Sequence, residues 1–239
     1  MQKAVILTAG LGKRMLPLTR CIPKALLPLG MKTAAQVVAQ ECIESGATKL
    51  CFVVAPDSPL PDYFDYCSKN DDTFKNVEFT FVCQQKPIGS GNALLCAEEF
   101  CKKDRFFLAN CDEVFSQNAF LQLSKLNGIS VGVKKVKPKN ACMYGILQTA
   151  NGVAQVIEEK PQNRDFASAP LALVGRFLLD GRIFDCLKQI SFVGGELRLT
   201  DALNVLFAKN QVYARMLNGK RFDVGSPEGY KNAFNYFSF

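Results

Sequence analysis

Residues 3–8 read KAVILT, a nearly unbroken apolar run, and such a run implies a strand covered on both faces of a parallel sheet. Residues 50–55 repeat the pattern, as do residues 106–109. Between them Val77, Phe79 and Phe81 alternate with Glu78 and Thr80, the period of a further strand. Ala34, Val37, Val38 and Cys42 follow the spacing of an amphipathic helix, and Gly46 is placed to close it. Residues 89–101 predict a helix entered through Gly-Ser-Gly. Segment 56–76 is polar and turn-rich, and is expected to be the longest surface loop. Strand–helix–strand alternation over the first ~110 residues predicts a parallel sheet with helices on both faces. Later strands are expected at 129–136, 144–149, 153–158, 171–179 and 212–217, and helices at 180–189, 200–209 and 227–236. Ser226-Pro227-Glu228 supplies an N-cap, a first-turn proline and a first-turn acid for the last of these. No repeat, low-complexity tract or Pro/Ser-rich linker interrupts the pattern, so residues 1–239 are expected to form one domain.

Composition narrows the classes. A chain of 239 residues that is 48% hydrophobic can bury a core without disulfides or a structural metal, and its composition excludes disorder, collagen and coiled coil. Its apolar runs fall far short of the roughly 20 residues that span a bilayer, and the N-terminus carries no small-residue cleavage site. There is no histidine, which excludes Ser–His and Cys–His nucleophiles and any zinc site needing imidazole. Ten cysteines lack Cys-x-x-Cys spacing, and several fall in apolar patterns. They are expected to be buried hydrophobes in a reducing cytoplasm. The net charge of +7 is scattered, apart from Lys134, Lys135, Lys137 and Lys139. It describes a solvated face or an attraction for polyphosphate or nucleic acid. No nucleic-acid-binding motif accompanies it, and neither nucleic acid nor membrane is expected as a partner.

The chemistry-bearing residues begin where the first strand ends. Gly10-Leu11-Gly12-Lys13-Arg14 is followed by Pro17, Thr19 and Pro23-Lys24. Open α/β sheets place their ligand crevice at that end of a strand. Met15 stands where a dinucleotide fingerprint needs glycine, and the Gly-Lys-Ser/Thr of a Walker loop is missing. What remains is a glycine turn whose backbone N–H groups can approach an anion, with Arg14 and Lys24 supplying charge. Asp112 follows an apolar strand, where a buried carboxylate is costly unless it holds a cation or a proton. Asp223 precedes the turn at Gly225. Arg176 lies inside an apolar strand and needs a partner there.

The run from Ala9 to Pro28 resembles the signature of the sugar-1-phosphate nucleotidylyltransferases, and within them most of all that of the bacterial uridylyltransferases acting on glucose 1-phosphate. The likeness extends through QQKPIGSGNALLC at 84–96, Glu159-Lys160-Pro161, LALVGRFL at 171–178, GELRLTDA at 195–202 and RFDVGSPEGY at 221–230. It implies a mixed, mostly parallel α/β sheet of the glycosyltransferase-A-like nucleotidyltransferase type. It also implies Mg²⁺-dependent transfer of UMP from UTP to glucose 1-phosphate, releasing pyrophosphate. By that resemblance Asp112 and Asp223 would hold Mg²⁺, and Arg14 and Lys24 would act on the phosphates. Ala9, Gly10, Gly12, Gln84 and Gly89 would form the base and ribose subsite, with Gln84 or the adjacent Gln85 reading the pyrimidine. Gly145, Glu159, Lys160 and Arg176 would bind the sugar phosphate. Two departures bear on the sugar: Pro170 replaces an expected asparagine, and Asp223-Val224-Gly225-Ser226-Pro227 replaces Asp-Cys-Gly-x-Lys. A thymidylyl- or other nucleotidylyltransferase acting on another sugar, and a non-catalytic nucleotide-sugar-binding protein, are the alternatives. Phe234, Tyr236, Phe237 and Phe239 are expected either to pack on the core or to form the interface of a homo-oligomer.

Overall fold

The computed structural model describes residues 2–162, 166 and 168–238. The chain runs β1 (Gln2–Leu7), β2 (Pro28–Leu29), β3 (Lys32–Thr33), α1 (Ala34–Glu44), β4 (Ala47–Val54), α2 (Leu60–Asn70) and β5 (Glu78–Cys83). There follow α3 (Ser90–Leu95), α4 (Glu98–Cys101), β6 (Phe106–Asn110), β7 (Glu113–Phe115), α5 (Ala119–Leu123) and β8 (Ser130–Lys135). The remainder is β9 (Gly145–Ala150), β10 (Val153–Glu159), β11 (Leu171–Leu179), α6 (Arg182–Gln189), α7 (Leu199–Lys209), β12 (Tyr213–Met216), β13 (Arg221–Asp223) and α8 (Pro227–Phe237).

One sheet of nine strands carries most of these, in the order β5-β4-β1-β6-β11-β8-β12-β10-β9. Its first half is parallel, as the continuous apolar runs require: β1 lies between β4 and β6, and β5 joins β4. Beyond β6 the pairing is largely antiparallel, with β11 running opposite to both β6 and β8. The β9–β10 hairpin closes through Asn151 and Gly152, both at positive φ, the turn geometry that matches strand twist. Alternate residues of β1 feed two cores. Ala4 and Ile6 face α1 and α2, while Val5 faces α3, α6 and α7. Six of the ten cysteines are buried and all are free. Burial pushes the Cys51 and Cys111 thiols up to about 12, which leaves them protonated and inert.

Segment 56–76 is not a loop. Leu60, Phe64 and Cys67 recur at helical spacing and are buried in α2, with the Phe64 ring 4.4 Å from Phe52 on β4. Three buried residues among eleven suffice because Phe64 joins an aromatic cluster to which Phe74 and Phe79 also contribute. The helix expected over 89–101 divides at Ala97 into α3 and α4. Ser226 caps α8 as expected, its hydroxyl accepting from the Gly229 N–H. The C-terminal aromatics separate. Phe237 packs against the core, Phe234 and Tyr236 remain exposed, and Phe239 lies outside the described residues. A two-stranded ribbon, β7 with β13, stands apart from the main sheet and brings Asp223 beside Asp112.

Candidate active site

A cleft of about 530 Å³ opens at the C-terminal ends of β1 and β6. Its floor is the turn after β1. Gly12 has φ 63°, and a Cβ there would come within 2.8 Å of Thr19, so only glycine fits both the backbone and the space. The Thr19 hydroxyl donates to the Gly12 carbonyl at 2.8 Å and braces the turn. Ala9, Gly10, Gly12, Arg14 and Lys24 all line the cleft, so the structure gathers the whole signature in one place.

Two cations there face two carboxylates. Lys24 Nζ lies 2.7 Å from Asp112 Oδ2, and Arg14 Nη1 lies 3.4 Å from Asp223 Oδ2. The Asp112 side chain is 26% exposed, open enough to reach a ligand. Burial alone would raise its carboxyl. The charge and hydrogen bond of Lys24, with Arg14 behind them, outweigh burial and hold it below the usual carboxylate range. Asp112 Oδ2 and Asp223 Oδ1 converge on one point: a Cβ on Gly225 would sit 3.2 and 3.0 Å from them, and 2.8 Å from Arg14 Nη2. The missing side chain thus leaves room between two hard oxygen donors. Their placement is built into the ribbon, where Val224 N–H donates to the Asp112 carbonyl at 2.9 Å.

The far wall holds Gln84 and Gly89. Gln84 is buried and lines the cleft, whereas Gln85 is exposed, which separates the two candidates. Gln84 Nε2 donates to the Gly89 carbonyl at 3.0 Å and to Asn92 Oδ1 at 2.9 Å. Both amide hydrogens are therefore committed, and Oε1 is the polar atom left for a ligand. Gly89 sits at φ 108°, and its missing Cβ would come 2.3 Å from the Leu197 carbonyl oxygen. The 196–200 segment packs there, and it adds Glu196 to the cleft lining.

That segment also reaches the remaining candidates. The space beside Gly145 is filled by Ile157, Glu159 and Thr200, with Glu159 Oε2 3.1 Å from where a Cβ would stand. Lys160 has φ 48°, a left-handed conformation that costs a non-glycine residue energy and clusters at functional sites. Its N–H is held by the Tyr144 carbonyl at 3.0 Å, and its side chain is 60% exposed, 3.7 Å from Glu159. Gly145, Glu159 and Lys160 thus lie side by side at the open end of the β9–β10 hairpin, where Glu159 pairs with Gly145.

Arg176 does not join either group. Its side chain is 0% exposed. Nε and Nη2 both donate to Glu41 Oε2, at 3.0 and 2.8 Å, and the remaining N–H groups go to the carbonyls of Asn110, Gly175 and Glu113. Phe115 and Phe120 lie against it. A guanidinium with its donors spent and no path to solvent cannot bind phosphate, so the expected role is corrected to a structural ion pair. Sequence reasoning passed over Glu113, Arg221 and Asn92. Glu113 follows Asp112 directly, and its Oε1 accepts the Gly175 N–H at 3.1 Å while Arg221 Nε donates to its Oε2. Its signal was a second acid placed in an apolar stretch.

Comparison with known proteins assigns a class. The chain belongs to the nucleotidyl transferase family, whose model matches residues 3–238. Within that class it is similar to the UTP–glucose-1-phosphate uridylyltransferase of Mycoplasma genitalium, at 34% identity over 97% of this chain and 90% of the relative. It is also similar to the uridylyltransferase YngB of Bacillus subtilis, at 32% identity over 95% of this chain and 86% of that one. A solved UDP-glucose pyrophosphorylase complexed with UDP-glucose superposes with a TM-score of 0.90 at 28% identity, over 99% of this chain and 98% of the other. A UTP-bound enzyme from Acinetobacter baumannii gives 0.84 at 27% identity, over 99% and 93%. The family expected from the motifs is borne out, as is the mixed α/β architecture.

Proposed function

We propose that this chain transfers UMP from UTP to glucose 1-phosphate, yielding UDP-glucose and pyrophosphate. The observation that carries the reading is the convergence of Arg14, Lys24, Asp112 and Asp223 around Gly225, at the mouth of the cleft, in a chain matched along nearly its whole length by uridylyltransferases.

A phosphate oxygen of glucose 1-phosphate attacks the α-phosphorus of UTP in line. The bond from that phosphorus to the β-phosphate bridging oxygen breaks, and pyrophosphate leaves with the electron pair. Such a transfer needs positioning and charge neutralisation more than covalent chemistry. The glycine turn offers N–H groups to the triphosphate. Lys24, on the cleft lining beside Asp112, would neutralise the α-phosphate, and Arg14, 58% exposed, would follow the departing pyrophosphate. Gln84 Oε1 accepts from the N3–H of uracil. The hairpin end carrying Gly145, Glu159 and Lys160 takes the sugar phosphate, Lys160 on phosphate and Glu159 on sugar hydroxyls.

Asp112 and Asp223 would hold Mg²⁺. The two oxygens flanking the space at Gly225 fit that ion, which takes one or two carboxylates and fills its octahedron with phosphate oxygens and water. Among the described residues no group of three or more His, Cys, Asp or Glu side chains is placed to hold a metal ion. Bound there, Mg²⁺ supplies positive charge at the phosphate undergoing substitution. Among the described residues no helix is long and apolar enough to cross a membrane.

Pyrophosphate release measured with UTP or dTTP against a panel of sugar 1-phosphates, with and without Mg²⁺, tests the reading. Turnover of UTP with glucose 1-phosphate, lost in Asp112→Asn, is the expected result. Release with a different pair would move the substrate, and binding of UDP-glucose without release from any pair would refute the enzyme reading.

A further inference from the structure

Arg221 touches neither the cleft nor Lys160 directly, yet it is bonded toward both. On the β7–β13 ribbon Glu113 pairs with Asp223, and Arg221 lies two residues before Asp223. Alternation along a strand puts Arg221, Asp223 and Glu113 on one face. Two carboxylates directly opposed across a ribbon repel each other. Arg221 offsets this by donating from Nε to Glu113 Oε2, with the two side chains only 13% and 11% exposed. The same guanidinium lies 5.0 Å above the Tyr144 ring, and its Nη1 donates to the Tyr144 hydroxyl at 3.4 Å. Tyr144 in turn holds the Lys160 N–H through its carbonyl.

We infer that Arg221 is a positioning residue that keeps the Tyr144–Lys160 end of the β9–β10 hairpin in register with the carboxylates Asp112 and Asp223. The inference rests on the proposed function, which assigns that hairpin end to the sugar phosphate. One planar group must bond Glu113 along its edge and cover Tyr144 with its face. Lysine can replace the charge but not that geometry.

Arg221→Lys retains a cation opposite Glu113, Tyr144→Leu leaves the ion pair intact, and the double variant closes a cycle. Steady-state kinetics are paired with calorimetric binding of UDP-glucose and of UTP in the absence of divalent metal. Arg221→Lys is expected to raise both the KM for glucose 1-phosphate and the Kd for UDP-glucose about tenfold. The Kd for UTP should stay within about twofold, and the double variant should be no worse than the weaker single one. Wild-type UDP-glucose affinity in Arg221→Lys, with only a lowered Tm, would overturn the inference, as would strictly additive effects. Absence of turnover in the wild type with the same Kd pattern would refute the proposed activity and support the role of Arg221. A wild type that does not bind UDP-glucose would overturn both.

Discussion

Lys24–Asp112 and Arg176–Glu41 are both cation–carboxylate pairs at 2.7–2.8 Å beside β6, and they do opposite work. Lys24 and Asp112 are 16% and 26% exposed on the cleft, whereas Arg176 and Glu41 are 0% and 9% exposed in the packing between α1 and β11. In the open pair each charge keeps capacity for another partner. In the sealed pair Glu41 also accepts the Ala119 N–H at 2.9 Å, and the guanidinium donors are committed. Pair distance therefore says nothing about function; what matters is whether either partner has a donor or acceptor left over. An open pair can trade its partner for substrate, while a sealed one can only be broken.

The largest expected effect falls on the open pair. Lys24→Met should lower kcat/KM roughly 10³-fold, the scale of removing a charge aimed at the reacting phosphate. Chemical denaturation should report a loss of about 1–2 kcal/mol, less than for the sealed pair, since Asp112 is only partly buried and keeps the charge of Arg14 nearby. A variant that lost stability and kept activity would reverse the assignment of the two pairs.

The sealed pair should respond the other way. Arg176→Met leaves the Glu41 carboxylate buried without its counter-ion, a loss of about 3–5 kcal/mol. Adding Glu41→Gln should restore much of it, because the uncompensated charge and not the missing attraction dominates the cost. Urea unfolding of the single and double variants provides the comparison.

The two pairs were unequally legible in the sequence. Asp112 stands at the end of an apolar run and Lys24 in a proline-bounded turn after a glycine loop, so position made both candidates, and the family resemblance supplied their roles. Arg176 carried the same cue, a charge in an apolar strand that needs a partner, but the resemblance cast it as a sugar-phosphate ligand. The partner is Glu41, 135 residues away on α1, and no local pattern exposes a pairing of that range. The same limit hid the ribbon: β7 and β13 are three residues each and 108 positions apart at Arg221 and Glu113. α2 was missed because its apolar stripe is thin and its burial depends on Phe52, Phe74 and Phe79 arriving from elsewhere. Strands β1, β4 and β6 were legible because each carries a continuous apolar run and needs no partner to declare itself.

A smaller intervention acts on the space between the open carboxylates. Gly225→Ala puts a methyl 3.0–3.2 Å from Asp223 Oδ1 and Asp112 Oδ2 and 2.8 Å from Arg14 Nη2. The backbone there requires no positive φ, so the fold should hold. Activity should drop about 10²-fold, and UTP binding without metal should change less than turnover. Unchanged turnover would mean that the space at Gly225 is not used.

The smallest effect is the pH response of the open pair. Lys24 and Arg14 outweigh burial and hold the Asp112 carboxyl below its ordinary value of 3.8. Unfolding restores that ordinary value, so the unfolded chain takes up the proton first as pH falls. The pair's contribution is thus fully present above about pH 5 and declines below pH 4 as the folded carboxyl is also protonated. Measured without metal, the stability difference between wild type and Asp112→Asn should be flat from pH 7 to pH 5 and shrink on further acidification, by about 1 kcal/mol or less. A difference that grew toward low pH would mean that burial outweighs Lys24 at Asp112 and that the carboxyl is protonated more readily folded than unfolded.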